Sequence, residues 1–166
     1  MKLALMVIDL QKAFYHGEKI ASMDLACDYI NTVIPLFRKK KLPILWVQDI
    51  DEESGVTPET EGFEFIDSLE PENGEYRIHK HYGNSFNKTE ALKILRENNV
   101  DTVIITGYCA ENCVLSTYRG ALDHDLTPAL LKKGIASGNK DNLRFVEEIS
   151  NVISYAVLKK ILEDLT

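Results

Sequence analysis

The sequence predicts a three-layer α/β/α domain built on a doubly wound, mainly parallel sheet of about six strands. Three observations predict it. Short apolar runs rich in β-branched residues recur along the chain. Longer stretches with apolar residues three and four apart separate them. Most of the runs are continuously apolar instead of alternating, as strands buried on both faces must be.

The first run is 3–8, which ends at Asp9. Residues 24–41 follow with helical period and place Leu25, Ile30, Val33, Ile34 and Phe37 on one side. The second run is 43–48. After it comes 49–62, acidic and holding Gly55 and Pro58, which reads as a surface loop. The third run, 76–80, is weaker because Arg77, His79 and Lys80 interrupt it. Residues 88–98 form a helix with Leu92 and Leu95 inward, and 102–106 is the fourth run. Residues 111–125 set Val114, Leu115, Tyr118, Ala121 and Leu122 on one buried face. Runs 127–131 and 152–154 add edge strands, and 142–149 and 155–165 supply the last helices. Trp46 on the second strand and Cys27 on the first helix read as packing residues.

A chain of 166 residues fits one domain, 1–166, with no repeat or linker. It is 45% hydrophobic and 27% charged, which excludes wholesale disorder. Nineteen basic against 26 acidic residues leave a net charge of -7, which repels phosphate backbones and anionic lipids. Nucleic acid and membrane surfaces are therefore not expected partners. No apolar stretch approaches the ~20 residues that span a bilayer, and the apolar start reads as a strand, not a signal peptide. Three cysteines with no sign of export read as reduced thiols in a cytoplasmic protein.

In a doubly wound sheet, ligands bind beyond the carboxyl ends of the strands. Asp9, Asp49, Lys80 and the segment 107–113 all fall there. Cys113 sits in the first turn of its helix, where unpaired N–H groups and the helix dipole favour a thiolate. A cysteine is, however, more often a small buried apolar residue. Asp9 directly follows an apolar run, so burial should raise its pKa unless a cation answers it. It serves equally well as an N-cap for the segment from Leu10. Lys80 supplies that cation, or is a solvated lysine with an accessible stem among Arg77, His79 and His81. Cysteine, acid and lysine together can deprotonate a thiol, hold the anion and return a proton to a leaving group. A glycine-rich phosphate turn, which a dinucleotide-dependent oxidoreductase needs, is missing after the first strand.

The segments Leu5-Met6-Val7-Ile8-Asp9-Leu10-Gln11, Lys80-His81-Tyr82-Gly83-Asn84-Ser85-Phe86 and Thr106-Gly107-Tyr108-Cys109-Ala110-Glu111-Asn112-Cys113-Val114 resemble the isochorismatase-like cysteine hydrolases in order and spacing. The resemblance implies a hydrolase that cleaves an amide-like C–N bond of a small molecule through a Cys113 thioester. The alternative is a binding or scaffold protein that keeps the fold without chemistry. By the same resemblance, Asp9, Lys80 and Cys113 are the catalytic triad. The Tyr108–Cys109 peptide is cis, and the backbone N–H groups of Cys109 and Cys113 form the oxyanion hole. Phe14, Tyr82, Phe86 and Tyr108 are candidates for the substrate pocket. Cys109 and Cys113 form a candidate redox pair, ranked below simple packing.

Nicotinamidases of this family bind a metal through Asp-x-His after the second strand. Asp49-Ile50-Asp51 stands there instead, so no metal and no other cofactor is expected. His79 and His81 share a strand face as a weak zinc candidate. The resemblance also implies a homo-oligomer, a dimer or larger, joined through an apolar face of a late helix.

Overall fold

The computed structural model describes residues 1–165; Thr166, the last position of the expected domain, lies outside them. Its six strands are β1 Leu3–Ile8, β2 Ile44–Asp49, β3 Tyr76–Lys80, β4 Thr102–Tyr108, β5 Thr127–Ala136 and β6 Val152–Ile153. They form one sheet in the order β3-β2-β1-β4-β5-β6, every neighbouring pair parallel. The helices are α1 Ile20–Lys39, α2 Ala91–Glu97, α3 Leu115–Asp123, α4 Lys140–Glu148 and α5 Tyr155–Asp164. A π-helical turn, Ala110–Val114, leads into α3.

The strand order reverses between β1 and β4, and the crevice beyond their carboxyl ends is where this architecture binds ligands. The pleat explains why β1 is apolar at every position. Leu3, Leu5 and Val7 join the core formed with α1 and α5, whereas Ala4, Met6 and Ile8 join the core under α2, α3 and α4. At about 25 cal/mol per Å², such a strand stabilises the fold through both faces at once.

The sequence reading differs from the structure at a few places, each with a local cause. Helix α1 begins four positions before residue 24, at Ile20, and carries Met23 into the core. Leu25 is 46% exposed, because the buried stripe runs through 23, 26, 27, 30, 33, 34 and 37 and leaves position 25 on the far side. Leu122 is likewise 49% exposed, at the margin of a face set by Val114, Thr117, Tyr118 and Ala121. Strand β5 runs on through Lys132-Lys133 to Ala136, although two lysines end the apolar run. Its register against β4 shifts between Ile105 and Gly107, and Lys133 takes a φ of 65° there. Trp46 and Cys27 pack in the core as expected. On the late helices, Phe145, Ile149 and Val157 stand exposed.

Candidate active site

Three strand ends deliver the site. Asp9 follows β1 in a left-handed backbone turn, φ 53°, that an aspartate tolerates better than most residues and that turns its carboxylate off the strand line. Its N–H donates to Val47 O at 2.9 Å, which ties the turn to β2. Lys80 ends β3, and Cys113 lies inside the π-helical turn after β4. The Tyr108–Cys109 peptide before that turn is cis.

The Lys80 ammonium gathers the site. It lies 2.8 Å from Asp9 Oδ2, 2.8 Å from Asp49 Oδ1 and 3.3 Å from Cys113 Sγ. Lys80 is 1% exposed, so the accessible stem expected from its neighbours is absent. On β3 the side chains alternate, and position 80 points inward while Arg77 and His79 point out. Asp9 is equally buried, and its second oxygen, Oδ1, has no hydrogen-bond partner. That buried, unpartnered oxygen can take a proton.

Burial is the largest influence on Asp9 and pushes its pKa up to about 6 against the opposing pull of Lys80. Burial, with help from the Asp9 charge, pushes the Cys113 thiol up to about 12, and Lys80 opposes this. Lys80 itself is raised: burial lowers it, but the anionic field of Asp9, Cys113 and Asp49 outweighs burial. At neutral pH the resting site therefore holds a carboxylate beside a neutral thiol. The helix terminus and the lysine favour a thiolate, but desolvation outweighs them and the proton rests on the sulfur.

The surrounding motif residues are mostly structural. Ser85 N–H donates to Thr117 Oγ1 at 3.0 Å and the two hydroxyls are 2.8 Å apart, so the segment after Lys80 is pinned to α3. Glu111 Oε1 accepts from Ser137 Oγ and Asn142 Nδ2, both at 3.0 Å, and braces the π-helical turn against β5 and α4. Of the expected pocket residues, Phe14 and Tyr108 meet with ring centroids 5.7 Å apart. Tyr82 is 44% exposed and pairs with Lys88. Phe86 is buried, belongs to the same core cluster as Ala91 and Tyr118, and packs edge-on to His124. Aromatic residues after strand ends look alike in sequence, and burial separates them.

Sequence reasoning placed Asp49 on this rim without a partner and passed over Gln11. The Gln11 side chain is fully buried and holds the Asp49 backbone at both groups, accepting from its N–H at 2.7 Å and donating to its C=O at 3.0 Å.

Among the described residues, the one group with metal-ligating spacing is Asp9, Asp49 and Cys113, their donor atoms within 4.8 Å of one another. The Lys80 ammonium contacts all three and fills the position a cation would take. Asp51 turns away to accept from Ser54 N–H at 3.1 Å. His79 and His81 are exposed and belong to no such group, and His79 packs on Phe63. These residues do not fit a metal.

Cys113 is half-buried, whereas Cys27 and Cys109 are buried and all three thiols are free. Brief treatment with substoichiometric iodoacetamide should therefore label Cys113 first. Its rate should rise with ionisation of Asp9 near pH 6, not with an ordinary thiol near pKa ~8.5. Peptide mapping that finds Cys27 or Cys109 labelled as fast would remove Cys113 from the nucleophile role.

A family model described as an isochorismatase domain matches residues 3–148. The isochorismatase family protein YddQ of Bacillus subtilis is 32% identical over 129 residues, 75% of this chain and 72% of that protein. An isochorismatase-like hydrolase from Alkaliphilus metalliredigens superposes with a TM-score of 0.86 at 24% identity, covering 97% of this chain and 99% of its own. N-carbamoylsarcosine amidase from Thermoplasma acidophilum superposes with a TM-score of 0.76 at 28% identity, covering 93% of this chain and 95% of its own.

Proposed function

The chain belongs to the isochorismatase family of hydrolases, and we propose that it cleaves an amide-like C–N bond of a small molecule with Cys113 as nucleophile. What carries the reading is a single contact set: one buried ammonium, Lys80, touching both a carboxylate, Asp9, and the thiol of Cys113 at the switch point of the sheet. A scaffold protein gains nothing from burying that charge, since an apolar trio of similar volume would be at least as stable. The similarity to an amidase supports a C–N bond as the target.

The chemistry proceeds from the resting protonation state. Asp9 takes the thiol proton as Sγ attacks the carbonyl carbon, and the backbone N–H groups of Cys109 and Cys113 receive the oxyanion. Collapse of the tetrahedral adduct expels the amine, which takes the proton back from Asp9. Asp9, again a carboxylate, draws a proton from water, whose oxygen attacks the thioester and frees the acid and the thiol. Lys80 stays protonated throughout and faces whichever of Asp9 and the sulfur carries the negative charge. Phe14 and Tyr108 offer an aromatic wall for an apolar part of the substrate.

A screen of small primary amides, ureas and carbamates for ammonia release, run with and without EDTA, tests this reading. Turnover should survive the chelator and fall by about 10⁴-fold or more in Cys113→Ala. Turnover that persists in Cys113→Ala, or that EDTA abolishes, would sink the mechanism.

A further inference from the structure

Two carboxylates share the one buried ammonium, and the mechanism above uses one of them. Asp49 Oδ1 is as close to Lys80 Nζ as Asp9 Oδ2 is, 2.8 Å in each case. Its placement is not incidental: Gln11, two residues beyond Asp9, grips the Asp49 backbone from both sides. Asp9, Lys80, Asp49 and Gln11 thus close a ring across the ends of β1, β3 and β2. The Asp49 side chain is 22% exposed, whereas that of Asp9 is 2% exposed.

We propose that Asp49 is a positioning residue that keeps the Lys80 ammonium anchored beside Cys113 while Asp9 carries the proton, and whose charge sets the basicity of Asp9. This rests on Asp9 being the base of the proposed reaction. Once Asp9 is protonated it no longer holds an ammonium strongly, and a lysine paired with it alone would be released at the moment the thiolate needs a cation. The Asp49 contact, 2.8 Å from the ammonium, remains and retains it 3.3 Å from the sulfur. In the resting site the same negative charge works the other way on Asp9, because a second anion competes for the lysine and makes ionisation of Asp9 less favourable. A more basic Asp9 is a better match for a thiol whose own proton is tightly held. The titratable groups facing the cluster are Asp9 from β1, Asp49 from β2, Lys80 from β3 and Cys113 from the π-helical turn.

The sign of one measurement separates this role from simple bracing. Iodoacetamide labelling of Cys113 is followed against pH in the full chain, so no substrate is needed. Asp49→Asn should move the acid midpoint of the labelling rate down by about one pH unit, and Asp49→Ser should move it the same way. If Asp49 only braced Lys80, its loss would weaken the Lys80–Asp9 pair and the midpoint would stay or rise, which overturns the proposal. Loss of folding in both variants by circular dichroism would also overturn it, as a purely structural role. Asp9→Asn serves as the control: a wild-type profile in that variant would refute Asp9 as the base. A profile abolished there but unmoved in Asp49→Asn would leave the base standing and remove the role of Asp49.

Discussion

Lys80→Met should lose at least about a thousandfold in turnover and, in contrast to what an exposed lysine would do, lower the unfolding midpoint substantially. The stem of methionine fills much of the same space, so the loss comes from charge. Two carboxylates would remain around the vacated ammonium, one of them 1% exposed with an oxygen already unpartnered. Removing one member of a buried ion pair costs about 3 to 5 kcal/mol, which corresponds to roughly 10 °C in a domain of this size. Turnover and a melting midpoint both equal to wild type would show that Lys80 is neither catalytic nor a buried counter-ion.

The pH dependence of that variant has a definite sign. Without the cation the pKa of buried Asp9 rises further above its unfolded value. A group raised in this way contributes stability that is fully present below its unfolded pKa and is lost as pH rises through its folded pKa. The deficit of Lys80→Met relative to wild type should thus be largest in alkaline solution, shrink as pH falls toward about 6, and change little below that, where Asp9 is protonated in both proteins. Thermal melts at a series of pH values check this. The same protonation removes the base, so slow turnover and added stability should appear together at low pH.

How much of this was legible in the sequence depends on whether a residue's role is local. Strands β1, β2 and β4 were visible because a strand buried on both faces has to be apolar over most of its length, whatever it pairs with. Asp9 was visible as a polar residue that ends such a run, and Cys113 by its place in the first turn of the helix that follows one. Lys80 was found by its motif, but its burial was not, since a lysine among Arg77, His79 and His81 has the local signature of a solvated face. Only the alternation of β3, with β2 on one side and the nucleophile turn over its end, turns that side chain inward. The Asp49–Gln11 clamp spans 38 residues of sequence, and no local pattern marks it. The protonation state is hidden from the sequence for a related reason. The helix terminus can be read from the chain, whereas the desolvation that outweighs it comes from packing by distant segments.

Gly107→Ala should be the most damaging single methyl group in the chain. Gly107 pairs with Ile8 at the ends of β4 and β1 and has a φ of 120°. A Cβ there would lie 2.0 Å from the Ile8 carbonyl oxygen and 2.6 Å from its nitrogen. Both are backbone atoms, so no rotamer can relieve the clash. The two strands would have to part where the sheet order reverses, and Asp9 is the next residue along. Backbone strain and overpacking together should cost about 4 kcal/mol. Gly55→Ala isolates the first of these, since Gly55 also has a positive φ, 72°, but nothing within 4 Å of the added carbon. A melting midpoint for Gly107→Ala no lower than that of Gly55→Ala would refute the close approach of β1 and β4. If the variant folds, iodoacetamide labelling of Cys113 should lose its Asp9-dependent rise near pH 6, because displacement of Ile8 carries the carboxylate away from the lysine and the thiol.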